Sequence, residues 1–225
     1  MARLEMDRSR AVEDYAKAIH DLADVAPDGS VGTNSLASRL EVTPASASGM
    51  VRRLESLGLA EHTPYRGVRL TGEGERVALS VIRRHRLLET FLAVRLGLPW
   101  DRVHAEAEVL EHVLSSELEA AIAADLGDPE RDPHGAPIPR SDGTMPGGDT
   151  SALCELEDGA SATFVRIPDE RPDMLRWLAE RSIVPGVEVA VTGRDPFGGP
   201  IQVSVAGKNH SIGTELAEAM RMAVE

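Results

Sequence analysis

The sequence predicts a mainly α fold with small β parts: an N-terminal winged helix-turn-helix, a central helical domain and a small C-terminal β-barrel. Three observations predict it. Two helical segments near the start are separated by a three-residue joint and followed by a β-prone pair. Two long stretches of helical periodicity then run from 75 to 126. Beyond a segment rich in proline and glycine, the pattern changes to short alternating strands around one helix.

Residues 11–25 carry Val12, Tyr15, Ile19 and Leu22 at helical spacing, and Pro27, Asp28 and Gly29 end that helix. NSLASRLE (34–41) reads as a second helix opened by an Asn cap, and TPASASGMVRRLESLG (43–58) as a third. In the third, Thr43 caps, Pro44 takes the first helical position and Gly58 stops the run. The joint Glu41–Thr43 has helix-turn-helix spacing. LAEHTPYRGVRLTGEG (59–74) then supplies two β-prone pieces around the YRG turn, the wing. Helical patterns follow over 75–96 and 101–126, the latter read as a single helix. Five prolines and five glycines lie between Gly127 and Thr150, as in a linker. The strands ATFVRI, VEVAVTG and IQVSVAG surround a helix near RPDMLRWLAERS, and GTELAEAMRMAV reads as a last helix over the barrel. The domain boundaries that follow are 1–75, 76–140, a linker at 141–150, and 151–225.

The bulk numbers narrow the function. Hydrophobic residues make up 42% and charged residues 27% of 225, as in globular proteins. Neither a run of eighteen apolar residues nor a signal-peptide core occurs, so the expectation is a cytoplasmic protein with no membrane partner. One cysteine, Cys154, excludes a disulfide framework and any multi-thiolate zinc site, and is read as a small core residue. The net charge of −13 opposes DNA binding and suits a chain that collects cations. The two are compatible if DNA binding requires metal, because two divalent ions per chain add roughly four charge units.

The chemistry gathers in HAEAEVLEHVLSSELE (104–119). His104, Glu108, Glu111 and His112 stand at i, i+4, i+7 and i+8, one narrow stripe of a helix. Val109, Leu110, Val113 and Leu114 supply apolar surface beside it, so the polar stripe is expected to border a buried region rather than open water. In RHRLLE, His85 and Glu89 stand one turn apart. Two such imidazole and carboxylate clusters on neighbouring helices fit divalent first-row ions. There is no HExxH arrangement, Gly-x-Ser-x-Gly elbow or phosphate loop, so no enzyme is expected. On the third helix Thr43, Ser46, Ser48, Arg52 and Arg53 are candidates to meet bases and phosphates, with Arg66 at the wing tip.

RRHRLLETFL, GLPWDRVHAEAEVLEHVLS and DPHGAPIP together make the chain resemble the diphtheria toxin repressor family of metal-dependent transcriptional repressors, and most nearly its manganese-responsive branch. The resemblance covers nearly the whole length. It implies that 76–140 is a metal-binding and dimerisation domain and that the barrel is SH3-like (FeoA-like). It also implies a primary metal site of Asp14, Glu108, Glu111 and His112, and a second site of His85, Glu89 and His104, with Asp169 or Glu170 as further ligands. Iron-responsive members carry methionine and cysteine where this chain has Asp14 and Glu108. Oxygen in place of sulfur favours Mn²⁺ over Fe²⁺ or Co²⁺. Lys17 and Gly49 depart from family patterns, the first from the binuclear site of small manganese regulators and the second from a base-reading glutamine. The implied function is a manganese-activated homodimer that represses metal-homeostasis genes by binding palindromic operator DNA. An iron-dependent repressor of the same family is the alternative, and a metal-dependent hydrolase the distant one.

Overall fold

The computed structural model describes residues 10–63, 66–168 and 171–223. Pro64 and Tyr65 of the wing, and the tentative ligands Asp169 and Glu170, lie outside the described residues. The chain divides into two units, Met1–Arg84 with Ser141–Thr144, and His85–Arg140 with Met145–Glu225.

The first unit begins with α1 (Arg10–Val25), whose apolar stripe buries Val12, Tyr15 and Ile19. Helix α2 (Thr33–Arg39) starts one residue earlier than its sequence suggests. Gly32 is its cap and Asn34 falls within the first turn, because the chain is already extended at Gly32 and no side chain need cap there. Glu41, at φ 52°, turns the chain into α3 (Pro44–Ser56). Thr43 Oγ1 accepts from the Ser46 amide at 3.2 Å, satisfying one of the free donors at the helix start. Ala47, Val51 and Leu54 are buried at i, i+4 and i+7, so Ser46, Ser48, Gly49, Arg52 and Arg53 are left on the exposed side. Strands β1 (Ala60–Thr63) and β2 (Gly67–Leu70) pair antiparallel, Ala60 opposite Leu70, and form the wing. All these elements close over one core that includes Ile19, Leu36, Leu54 and Val68.

Helix α4 (Gly72–Val94) runs through the division between the units. The expected single helix over 101–126 is two, α5 (Val103–Leu110) and α6 (Ser116–Asp125). The break is local chemistry. Ser115 adopts an extended conformation, and its hydroxyl accepts from the Leu118 amide, starting a new helix. A small core of Leu87, Leu88, Ala107, Ile122, Ala123 and Ile138 joins these helices to the segment that follows.

The last part of the second unit has β3 (Thr150–Ala152), a 3₁₀ turn at Leu153–Glu155, β4 (Ser161–Arg166), α7 (Pro172–Ala179), β5 (Glu188–Arg194), β6 (Ile201–Val205), β7 (Lys208–Ile212), α8 (Thr214–Ala219) and β8 (Arg221–Ala223). The sheet order is β3-β8-β4-β5-β6-β7, antiparallel throughout. It is a bent open strip rather than a closed barrel, with register shifts at Phe164/Arg166 and Val191/Gly193. The expected final helix stops at Ala219, and Arg221–Ala223 instead form a strand between β3 and β4. Along β6, Ile201, Val203 and Val205 point inward to a core shared with Phe164, Leu175 and Met222.

Candidate metal centre

Within the second unit, α4 and α5 bring three of the predicted second-site residues together. His85 Nε2 lies 3.1 Å from Glu89 Oε1 and 3.1 Å from His104 Nδ1, and His104 Nδ1 lies 3.4 Å from Glu89 Oε1. Ligands about 2.1–2.2 Å from one ion are about 3.0–3.5 Å from each other, so this triangle has the size of one face of a coordination shell. The chemistry fits as well. Glu111 Oε2 sits 2.5 Å from His85 Nδ1, and since a carboxylate only accepts, Nδ1 donates and the Nε2 lone pair turns toward Glu89 and His104. A carboxylate that orients an imidazole in this way is a usual support for a metal ligand.

Glu111 is buried, and its other oxygen, Oε1, stands 3.3 Å from His112 Nε2. Glu108 is more open and lies 3.8 Å from His85 Nδ1 and 3.9 Å from His104 Nε2. Glu108, Glu111 and His112, three of the four expected primary ligands, thus share one end of α5. Asp14 belongs to the first unit, on α1, half-buried and 3.9 Å from Arg10 Nε. Its neighbour Glu13 pairs with Arg84 at 3.1 Å.

A third cluster was not anticipated. His134 Nε2 donates to the Trp100 carbonyl at 2.7 Å, and its ring stacks on the Trp100 indole at 5.8 Å between centroids. Its Nδ1 therefore faces Glu89 Oε2 at 3.6 Å and Asp132 Oδ1 at 4.0 Å. Asp132 Oδ1 also accepts from the amides of His134 and Ala136, at 2.8 and 2.9 Å, while Oδ2 lies 3.8 Å from Arg86 Nε. The residues read as a Pro/Gly-rich linker here form a buried turn. Gly135 makes it possible: at φ 84°, a Cβ would lie 1.7 Å from the Val165 carbonyl oxygen. The available signal was the Asp132-Pro133-His134-Gly135 turn itself, with carboxylate and imidazole two residues apart.

Glu89 is central, with His85, His104 and His134 around its carboxylate. Burial pushes this carboxyl up, but without an ion the His104, His134 and His85 rings, where protonated toward it, outweigh burial and hold it well below the usual carboxylate range. It is an anion at any physiological pH, set among nitrogen donors.

The polar stripe borders a buried region, with Glu111 inside it, but most of the apolar side chains beside the stripe face outward. Val109, Leu110 and Val113 do not pack inward: Val109 is 60% and Val113 77% exposed, and Val94, Leu96 and Leu118 are exposed too. Only Leu114 turns in, against the Leu87 and Ile122 core. The turn after Leu110 and the fresh start at Ser116 shift the apolar side chains away from the core of a single chain.

On the DNA-binding side, Thr43, Ser46, Ser48, Arg52, Arg53 and Arg66 are all exposed. Thr43 and Ser46 hydroxyls lie 2.9 Å apart, and Ser48 Oγ donates to the Pro44 carbonyl, so these hydroxyls also serve the helix start. The Arg66 carbonyl accepts from Ser30 Oγ, which fixes the wing tip.

A winged helix followed along the chain by helices lined with imidazole and carboxylate, and then by an SH3-like sheet, defines a metal-responsive DNA-binding regulator. Comparison with known proteins places it further. Residues 7–68 match the iron dependent repressor N-terminal DNA binding domain, 71–140 the iron dependent repressor metal binding and dimerisation domain, and 152–224 the FeoA domain. The iron-dependent repressor IdeR of Mycobacterium tuberculosis is 33% identical over 223 residues, 93% of this chain and 95% of that one. The diphtheria toxin repressor of Corynebacterium diphtheriae is 32% identical over 197 residues, covering 83% and 86%. A solved manganese-dependent transcriptional repressor in complex with manganese is 41% identical, with TM-score 0.89, covering 95% of this chain and all of its own. The chain belongs to the iron-dependent (diphtheria toxin) repressor family of metal-dependent transcriptional repressors. Its members are DNA-binding repressors and not enzymes, which sets the hydrolase alternative aside. No helix among the described residues is long and apolar enough to cross a membrane.

Proposed function

We propose that the chain is a cytoplasmic, manganese-activated homodimeric repressor that binds palindromic operator DNA to control metal homeostasis, with two ions per chain. The observation that carries the reading is the donor set. Every group in the clusters of the second unit is an imidazole or a carboxylate, and the one cysteine, Cys154, packs at the edge of the sheet core. Hard oxygen donors suit Mn²⁺, and the manganese-dependent structure at 41% identity supports the same choice.

In this reading Asp14, Glu108, Glu111 and His112 hold the primary ion, and His85, Glu89 and His104 the second. A bound divalent cation adds positive charge among these carboxylates. Asp14 stands in the DNA-binding domain and the other three primary ligands in the dimerisation domain, so sharing an ion restricts how the two move. Two recognition helices of a symmetric dimer fit two half-sites at one spacing only. Restricting the domains thus raises the population able to bind, and a shift from 1:99 to 99:1 requires about 5.5 kcal/mol of differential metal affinity. The exposed Val94, Leu96, Val109, Leu110, Val113 and Leu118 suit the dimer contact, since monomeric proteins rarely leave so much apolar surface on one domain. Thr43, Ser46 and Ser48 then meet the DNA groove and Arg52, Arg53 and Arg66 its phosphates.

The test is a titration of operator binding with Mn²⁺, Co²⁺ and, without oxygen, Fe²⁺, for the wild type and Asp14→Ala. Mn²⁺ should activate at the lowest free concentration, and Asp14→Ala should keep its fold but lose the metal response. Activation by Fe²⁺ alone would install the iron-dependent reading, which the mycobacterial relatives favour by name. A full response in Asp14→Ala would remove the shared primary ion.

A further inference from the structure

The wing is more than a two-stranded hairpin. Val31 and Val68 exchange backbone hydrogen bonds at 3.0 and 2.9 Å, so the loop between α1 and α2 runs along the free edge of β2. Ser30 Oγ donates to the Arg66 carbonyl. Gly67, at φ 107°, permits so close an approach, because a Cβ there would lie 2.6 Å from the Val31 carbonyl oxygen. Within the hairpin Glu61 stands opposite Arg69, and Val68, one residue away, turns into the core, which leaves Glu61 and Arg69 on the outer face. Between that face and the loop lies an open hollow of about 280 Å³, to which Asp28, Ser30, Glu61, Arg66 and Arg69 all contribute.

Two guanidinium groups on one concave face suit a backbone phosphate. Two carboxylates oppose it. Arg69 stands between them, with Glu61 across the strand pair on one side and Asp28 of the loop on the other. Asp28 is fixed in this place: its Oδ1 accepts from the Ser30 amide at 3.1 Å, its main-chain carbonyl accepts from Arg69 Nη2, and its Oδ2 lies 3.7 Å from that same nitrogen. The four charges of the hollow sum to zero, so a phosphate has little to gain there. An exposed ion pair of this kind adds only about 0–1 kcal/mol to stability, so bracing the fold is a weak reason for it.

We propose that Asp28 guards the wing: it keeps Arg69 from neutralising a DNA phosphate, so that the wing makes one phosphate contact, through Arg66, rather than two. This rests on the reading above that Arg66 meets a phosphate. Phosphate contacts carry no sequence information, so the guard limits the grip on DNA of any sequence. Binding is then left to depend more on the bases and on metal.

The experiment is fluorescence anisotropy of a labelled duplex of random sequence, titrated with the full chain in saturating Mn²⁺ at several KCl concentrations. Wild type is compared with Arg66→Ala, Asp28→Asn, Arg69→Ala and the double variant Asp28→Asn/Arg69→Ala, each checked by circular dichroism. Asp28→Asn keeps the side-chain oxygen for the Ser30 amide and removes only the charge. It should bind more tightly at low salt and steepen the dependence of log affinity on log salt by about 0.9 per protomer. Arg69→Ala should cancel that gain in the double variant and leave the slope of the otherwise wild-type chain unchanged. An unaltered slope in Asp28→Asn overturns the proposal, as does a flatter slope in Arg69→Ala alone, which would mean that Arg69 already holds a phosphate. Arg66→Ala separates the two readings: if it leaves the slope unchanged, the wing contact of the proposed function falls and the guard with it, whereas a flatter slope there beside an unaltered Asp28→Asn defeats the guard alone.

Discussion

At the scale of single residues, the meeting of His85 with Glu89 was legible because helical spacing is deterministic. His85 and Glu89 are one turn apart, and no fold that keeps α4 helical can separate them. Asp132 and His134 were not legible, because a turn has no period and its partners come from α4 and from Trp100, far away in sequence. Two predictions belong here. Glu108→Cys introduces a soft donor among the proposed primary ligands, and the metal titration of DNA binding should tilt toward Fe²⁺ or Co²⁺; an unaltered order of metals would contradict the argument from donor hardness. Gly135→Ala places a methyl against the Val165 carbonyl at a positive φ. A left-handed alanine costs about 1–3 kcal/mol and overpacking another 1–3. Chemical denaturation should show a loss within that sum, and a variant as stable as wild type would mean that the turn packs differently.

At the scale of elements, α3 was the most readable part, its cap, its first-position proline and the glycine that stops it all agreeing with the structure. The α5–α6 break was not, since apolar periodicity continues through Leu110 to Leu118 and the competing signal is one serine that caps. That break explains the exposed valines: periodicity shows that a face is apolar, not whether its cover comes from the same chain. Val113→Glu puts a charge on the most exposed of them and should drive the protein toward monomer in sedimentation equilibrium, with its helix content intact. Persistence of the dimer would locate the contact elsewhere.

At the scale of the whole molecule, the charge of −13 dominates long-range behaviour. So acidic a chain has to approach DNA, itself a polyanion, through local patches, for which the exposed arginines of α3 and the wing are the candidates. Arg53→Ala should weaken binding on all sequences alike and flatten the dependence of log affinity on log salt by about one unit. An identical slope would mean that Arg53 neutralises no phosphate. The succession of winged helix, helical segment and small sheet along the chain was visible in composition and periodicity, whereas the sheet order was not, because β8 enters between two strands that precede it. That insertion bears on biosynthesis. While the polypeptide is still leaving the ribosome, β3 and β4 have no neighbour between them and stand as raw strand edges, the kind of surface on which nascent proteins stick to one another. Folding of the FeoA part must therefore wait for translation of Arg221–Ala223, after the DNA-reading head has had time to settle.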